Sequence, residues 1–195
     1  MAKQKSGVAE TLMLATVAAW NAWLAKHHAT SPGITMRIAR KASAAKSITY
    51  GEAVDTALVW GWIDGQKGGG DPEAWLQNFA PRKPRSIWSK INREKAQALI
   101  EAGKMKPAGL AAVDAAKANG CWDRAYDAPK QAKVPDDLAA ALATQPAAGA
   151  FFATLDSRNR YAILHRLMTA KKPETRAKRI AQFVELCARR EKIHP

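Results

Sequence analysis

The hydrophobic positions of this chain change period near its middle. Ile34-Thr35-Met36-Arg37-Ile38-Ala39-Arg40 alternates apolar with polar, the period-two pattern of a half-buried strand, and it follows a break at Pro32-Gly33. Ahead of it, a basic, mobile start with Lys3 and Lys5 leads to Thr11-Leu12-Met13-Leu14, a short extended piece. Thr16 is placed to cap a helix running through His27 and His28, with Trp20, Trp23, Leu24 and His27 on one face, read as core. Thr49-Tyr50-Gly51-Glu52 forms a capping box, in which the threonine hydroxyl serves the amide three residues on while the glutamate reaches back. Ala53, Val54, Ala57, Leu58 and Trp60 continue it as an apolar helix, and Gly61 ends it. Residues 62–67 then predict a strand, 68–72 with their three glycines a loop, and 74–79 the returning strand of a hairpin.

Past Pro81 and Pro84 the period becomes helical and alanine accumulates. Ser89 or Asn92 caps the first helix and Gly103 stops it; Pro107 opens the second and Gly120 closes it. Pro135-Asp136-Asp137 opens a third, Pro146 a fourth, and Asp156 or Ser157 caps a fifth with Tyr161, Leu164, Leu167 and Met168 on one stripe. Lys171-Lys172 breaks it. Pro173 begins the last helix, with Ala177, Ile180, Phe183, Val184 and Cys187 inward and Arg176, Lys178, Arg179, Arg189 and Arg190 toward solvent. Residues 121–134 connect the two sets of helices, pinned by Trp122 and Tyr126. The expected fold is α+β: a small antiparallel sheet with flanking helices over residues 1–88, then a helical region over 89–195 packed on it as one compact unit.

A chain of 195 residues that is 47% hydrophobic and 25% charged has enough apolar material for a core of its own. No uncharged apolar run approaches the roughly 18 residues a membrane helix needs. The stretch Val8–Ala19 after Lys3 and Lys5 has the outline of a signal peptide, but Glu10 interrupts it and Trp20, Trp23 and Leu24 continue it at helical spacing, so it is assigned to the fold. Cys121 and Cys187 have no metal-ligand spacing and make no disulfide framework, which predicts reduced thiols and a cytoplasmic location.

Charge changes the picture more. The formal net charge is +14, and excess cations on a folded surface attract polyanions. Arg82, Lys83, Arg85, Lys90, Arg93 and Lys95 stand against Glu94 alone, and the stretch Arg158–Lys192 is also strongly basic, whereas residues 96–157 are nearly balanced. Trp88 sits inside the first group, just ahead of a predicted helix whose free amides, with Ser89 and Asn92, suit a phosphate or carboxylate. A cation beside an aromatic ring is also how bases are gripped, and exposure of Trp88 decides whether that applies. The expected anion-binding residues are therefore Trp62, Asp64, Arg82, Arg85, Trp88, Ser89, Lys90, Asn92 and Arg93, with a second patch at Lys171, Lys172, Arg176 and Arg179.

Catalytic chemistry has less support. Adjacent His27 and His28 point about 100° apart on a helix and cannot chelate one ion, while His165 and His194 have no partner at ligand spacing, so neither a metal nor a cofactor is expected. Asp64, between Ile63 and Gly65 and near two tryptophans, is the one carboxylate placed for acid-base work; a turn aspartate, or a partner for Arg82 or Arg85, is the favoured alternative. No catalytic residue is assigned. Gly65-Gln66-Lys67-Gly68-Gly69-Gly70 lacks the ending of a phosphate loop and no Gly-x-Ser-x-Gly elbow occurs.

Several segments resemble the YdeI/OmpD-associated, or bacteriocin-protection, family: Trp20-Asn21-Ala22-Trp23-Leu24 with His28, residues 49–54, residues 61–66, Pro81-Arg82 with residues 86–94, Pro107-Ala108-Gly109-Leu110, and residues 169–176. The resemblance implies a bacterial accessory protein linked to survival of antimicrobial peptides, with no established reaction and no catalytic residues to carry over. Its N-terminal part is also similar to YjbR/CyaY-like α+β domains, some described as DNA-binding. A cationic protein repels cationic peptides, so direct sequestration of them is disfavoured. The expected function is non-enzymatic: a stress accessory protein with an unidentified anionic partner. Nonspecific nucleic-acid binding is the second reading, and an enzyme using Asp64 on a small anionic ligand the third.

Overall fold

The computed structural model describes residues 10–195, so the basic start at Lys3 and Lys5 lies outside the described residues. The chain divides into two units, residues up to 86 with 94–122, and residues 87–93 with 123–195. No helix among the described residues is long and apolar enough to cross a membrane.

The first unit is built on a four-stranded sheet of order β1-β2-β4-β3, with β1 Glu10–Leu12, β2 Ile34–Ala39, β3 Trp62–Gly70 and β4 Ala74–Pro81. β3 and β4 pair antiparallel as the predicted hairpin, β4 pairs antiparallel with β2, and short β1 joins the edge parallel to β2. Ile34, Met36 and Ile38 are buried while the residues between them are half-buried. Two helices enter the sheet region with the caps their sequences predict. In α1 (Val17–His27) the Thr16 hydroxyl accepts from the Ala19 amide at 3.1 Å. In α2 (Tyr50–Val59) the Thr49 hydroxyl accepts from the Glu52 amide at 3.2 Å while the Glu52 carboxylate accepts from the Thr49 amide at 2.8 Å. Hydrogen bonds from the Thr49 amide and hydroxyl also hold the Glu52 carboxyl below its usual pKa.

The hairpin differs from its sequence pattern. The three glycines extend β3 instead of forming the loop, and the ladder passes through two register shifts, between Asp64 and Lys67 and between Lys67 and Gly70. The turn falls one step later, where the Asp71 carboxylate accepts from the amides of Glu73 and Ala74, both at 2.9 Å.

α3 (Lys90–Glu101) starts at Ser89, whose hydroxyl accepts from the Asn92 amide at 3.1 Å, so Asn92 lies inside the helix and is not its cap. α4 (Pro107–Ala118) packs its N-terminal turn on the end of α2 by a close backbone approach. A Cβ on Gly109 would lie 2.3 Å from the Val59 carbonyl oxygen, and one on Gly61, at φ +72°, would lie 2.6 Å from that of Ala108. The Gly61-Trp62 and Pro107-Ala108-Gly109 segments interlock, and only glycine allows it.

The second unit is four helices, α5 (Asp136–Ala143), α6 (Pro146–Thr154), α7 (Ser157–Met168) and α8 (Pro173–Ala188), around Leu138, Phe152, Ile163, Leu167, Phe183 and Cys187. The Asp156 carboxylate caps α7 by accepting from the Asn159 amide at 2.7 Å. Ala177, expected inward, is exposed: the first turn of α8 lies at the surface and its buried stripe begins further along, with Phe183, Val184 and Cys187. Both cysteines are buried thiols.

Gly109→Ala should lower stability by about 1–3 kcal/mol, because a methyl group against backbone has nowhere to go. Chemical denaturation compared with Gly51→Ala, where no atom lies within 4 Å of the new Cβ, checks this.

Candidate functional site

The residues singled out from sequence are placed in ways that separate structural from available groups. Trp62 is 1% exposed and stands edge-on to Trp20 and Trp23, at 6.2 and 5.7 Å, with its indole N–H donating to the His28 carbonyl at 3.2 Å. It is core. Trp88 is 2% exposed, so it offers no ring face to a base, and any recognition by its basic neighbours rests on charge. Asp64 accepts from the Tyr50 hydroxyl at 2.7 Å.

The basic stretch from Arg82 to Arg93 falls across the two units. In the first, Lys83 and Arg85 are exposed, while Arg82 is half-buried with its amide donating to the Gly61 carbonyl at 2.9 Å. In the second, residues 88–90 run alongside Tyr126: the Tyr126 amide donates to the Trp88 carbonyl and the Lys90 amide to the Tyr126 carbonyl, both at 2.9 Å. The Lys90 ammonium pairs with Asp127 at 2.6 Å. Ser89 is spent on the helix cap. Arg93 is half-buried, and its amide donates to the Ser89 carbonyl as the helix requires.

The second patch resolves into two kinds of cation. Arg176 makes a two-pronged bond to Asp137, at 2.6 and 2.9 Å, and donates to the Leu167 carbonyl at 2.8 Å. Arg179 donates to the Arg166 carbonyl. Both guanidiniums reach back from α8 onto carbonyls at the end of α7, where a helix leaves acceptors unsatisfied and favours positive charge. They are pointed into the fold and not, as expected, to solvent. Their reach explains the Thr169–Arg176 segment: Thr169 is the cap residue of α7 and its hydroxyl donates to the His165 carbonyl at 2.8 Å, Pro173 restarts the chain as α8, and Arg176 returns to the helix it left. Lys171 and Lys172 stay exposed, with no ion pair among the described residues.

An open concavity of about 530 Å³ on α7 is a feature that sequence spacing missed. Ser157, Arg158, Tyr161, His165, Arg166 and His194 line it. Tyr161 donates to the Asp127 carbonyl at 2.9 Å, and burial, with the nearby Tyr126 and Asp127, pushes its hydroxyl up to about 12. His165 meets the Tyr126 ring edge-on at 4.7 Å, and burial, then Arg166, lowers its pKa. His194 comes from the far end of the chain, so no local spacing links it to the others. The signal that was available is the recurrence of Arg158, Tyr161, His165 and Arg166 along one helical face. Among the described residues no three His, Cys, Asp or Glu side chains gather as a metal site.

With this α+β fold, a family model described as a domain of unknown function (DUF8412) matches residues 12–112, more than half of the chain. The chain belongs to that family. Residues 131–190 match a second model, described as Bacteriocin-protection, YdeI or OmpD-Associated, in agreement with the resemblance read from sequence. That match contains the Thr169–Arg176 corner, whereas the tryptophan segments fall in the first. No curated protein and no solved structure gives a significant match.

Arg176→Ala should cost roughly 1–2 kcal/mol, a charge-assisted pair discounted for its partial exposure. Asp137 has its carboxyl held below the usual carboxylate range, first by the hydrogen bond from Arg176. Its contribution is therefore present above the unfolded carboxylate pKa of about 3.9 and lost as pH falls through the lower folded value. Denaturation of wild type and variant at pH 7 and below pH 4 should show the gap closing in acid.

Proposed function

We propose that this protein is a non-enzymatic accessory protein of the bacteriocin-protection type that acts by holding an anionic partner on exposed basic side chains. The observation that carries this reading is at the α7–α8 corner, inside the segment matched by that family: Arg176 and Arg179 are taken up by the fold, and Lys171 and Lys172 are left exposed. Lys83 and Arg85 are the corresponding exposed cations of the first unit. The excess of 31 basic over 17 acidic residues supports a partner of high negative charge density, and opposes a cationic peptide as the direct ligand. Buried free thiols fit a reducing, cytoplasmic setting. The phenol partner of Asp64 and the buried Trp62 beside it in sequence leave the catalytic reading without a mechanism.

Nucleic acid is the polyanion to try first. Labelled single-stranded DNA titrated across a salt series should bind with a steep loss of affinity as salt rises. Lys171→Ala/Lys172→Ala should make the log–log slope shallower by about 1.4, at roughly 0.7 for each phosphate no longer neutralised. Absence of binding at low salt to DNA, RNA, polyphosphate and anionic vesicles alike would sink the anion-binding reading.

A further inference from the structure

The concavity on α7 is a second basic feature, separate from Lys171 and Lys172, and it does not depend on the reading above. Arg158, Tyr161, Ala162, His165 and Arg166 recur at three- and four-residue intervals, opposite the buried Ile163, Leu164 and Leu167. From Arg158 to Arg166 the helix rises about 12 Å, a span that two arginine side chains can close upon a small ligand.

What lines the space is one-signed. It has two guanidiniums, two imidazoles, a phenol and a hydroxyl, and no carboxylate. The acids adjoining it are engaged: Asp156 caps α7 and binds the Asn159 side chain, and Asp127 pairs with Lys90. Neither Arg158 nor Arg166 has an ion-pair partner among the described residues, and both are exposed.

The lining is also positioned from behind. Asn159, 1% exposed, accepts from the His194 amide at 2.9 Å and donates to the His194 carbonyl at 3.2 Å, so a buried amide clamps the backbone that presents this imidazole. His165 is wedged between the Tyr126 and Tyr161 rings, at 4.7 and 5.6 Å. Tyr161 is tethered in turn through its hydroxyl to the Asp127 carbonyl. A buried polar clamp and a packed ring trio hold two donors facing one space, which a merely solvated helix face does not require.

We propose that this concavity binds a small phosphate-bearing molecule, with Arg158 and Arg166 gripping the phosphate oxygens and His165 and His194 donating to them. Guanidinium forks match the geometry of phosphate, and an imidazole N–H adds a further donor to its oxygens. The volume of about 530 Å³ accommodates a mononucleotide-sized ligand.

Imidazole NMR resolves the proposal, because the chain has four histidines and only His165 and His194 line the site. Inorganic phosphate, adenosine monophosphate and adenosine are titrated separately into the full-length protein. The expected result is saturable movement of the His165 and His194 resonances with the two phosphate compounds and none with adenosine, while His27 and His28 stay still. Tighter binding of the monophosphate assigns a phosphate ester as the ligand; equal affinity assigns free phosphate. Arg158→Ala and Arg166→Ala should each weaken binding about tenfold or more, with circular dichroism unchanged. Lys171→Ala/Lys172→Ala should leave it intact, which separates this site from the corner lysines. Movement of all four histidines in parallel without saturation, no movement of His165 and His194, or equal response to adenosine would overturn the assignment.

Discussion

Burial of indole rings is the constraint on which the first unit depends. Trp20 and Trp62 lie edge to face at the centre of its core, and each indole N–H finds a backbone carbonyl, Ala53 for Trp20 and His28 for Trp62. Ala53 belongs to α2 and His28 ends α1, so the two rings tie both helices to β3. An indole removes on the order of 200 Å² from water, worth about 5 kcal/mol at roughly 25 cal per Å². A surface ion pair contributes about 1 kcal/mol or less. The rings therefore decide where the chain goes, and the charges occupy what surface remains.

That order of magnitudes has a functional consequence. With Trp62 and Trp88 taken into the interior, stacking by them is unavailable to a ligand, and the basic residues around them act by charge alone. The fold then consumes some of those charges for its own needs. Lys90 is drawn to Asp127, Arg176 to Asp137 and the end of α7, Arg179 to the same helix end. In the two basic stretches, Lys83, Arg85, Lys171 and Lys172 keep exposed side chains with no ion pair among the described residues.

Local rules made much of this visible in the sequence. The Thr49–Glu52 capping box, the alternation of β2, and the helices opened by Pro107, Pro146 and Pro173 all act over four or five residues and appear where their patterns place them. What escaped was set by partners distant in the chain. Gly68–Gly70 read as a loop because glycine disfavours strands, yet they continue β3, with Gly70 paired to Trp75 of β4. Arg176 read as a solvated cation because Asp137 lies thirty-nine residues away. His194 is joined to α7 by the buried Asn159, thirty-five residues earlier. The exposure of Ala177 has a simpler cause, a helix whose first turn projects beyond its core.

The proposed recognition is electrostatic, with no stacking on Trp62 or Trp88 because both rings are buried. Affinity for a single-stranded oligonucleotide should be compared, at one salt concentration, with that for an abasic backbone of the same length and charge. Equal affinity, within about twofold, is the result expected of recognition by charge alone, since stacking is worth about 1–3 kcal/mol per base where it occurs. Binding of the base-bearing strand tenfold tighter or more would contradict the account and place an aromatic ring in the recognition surface.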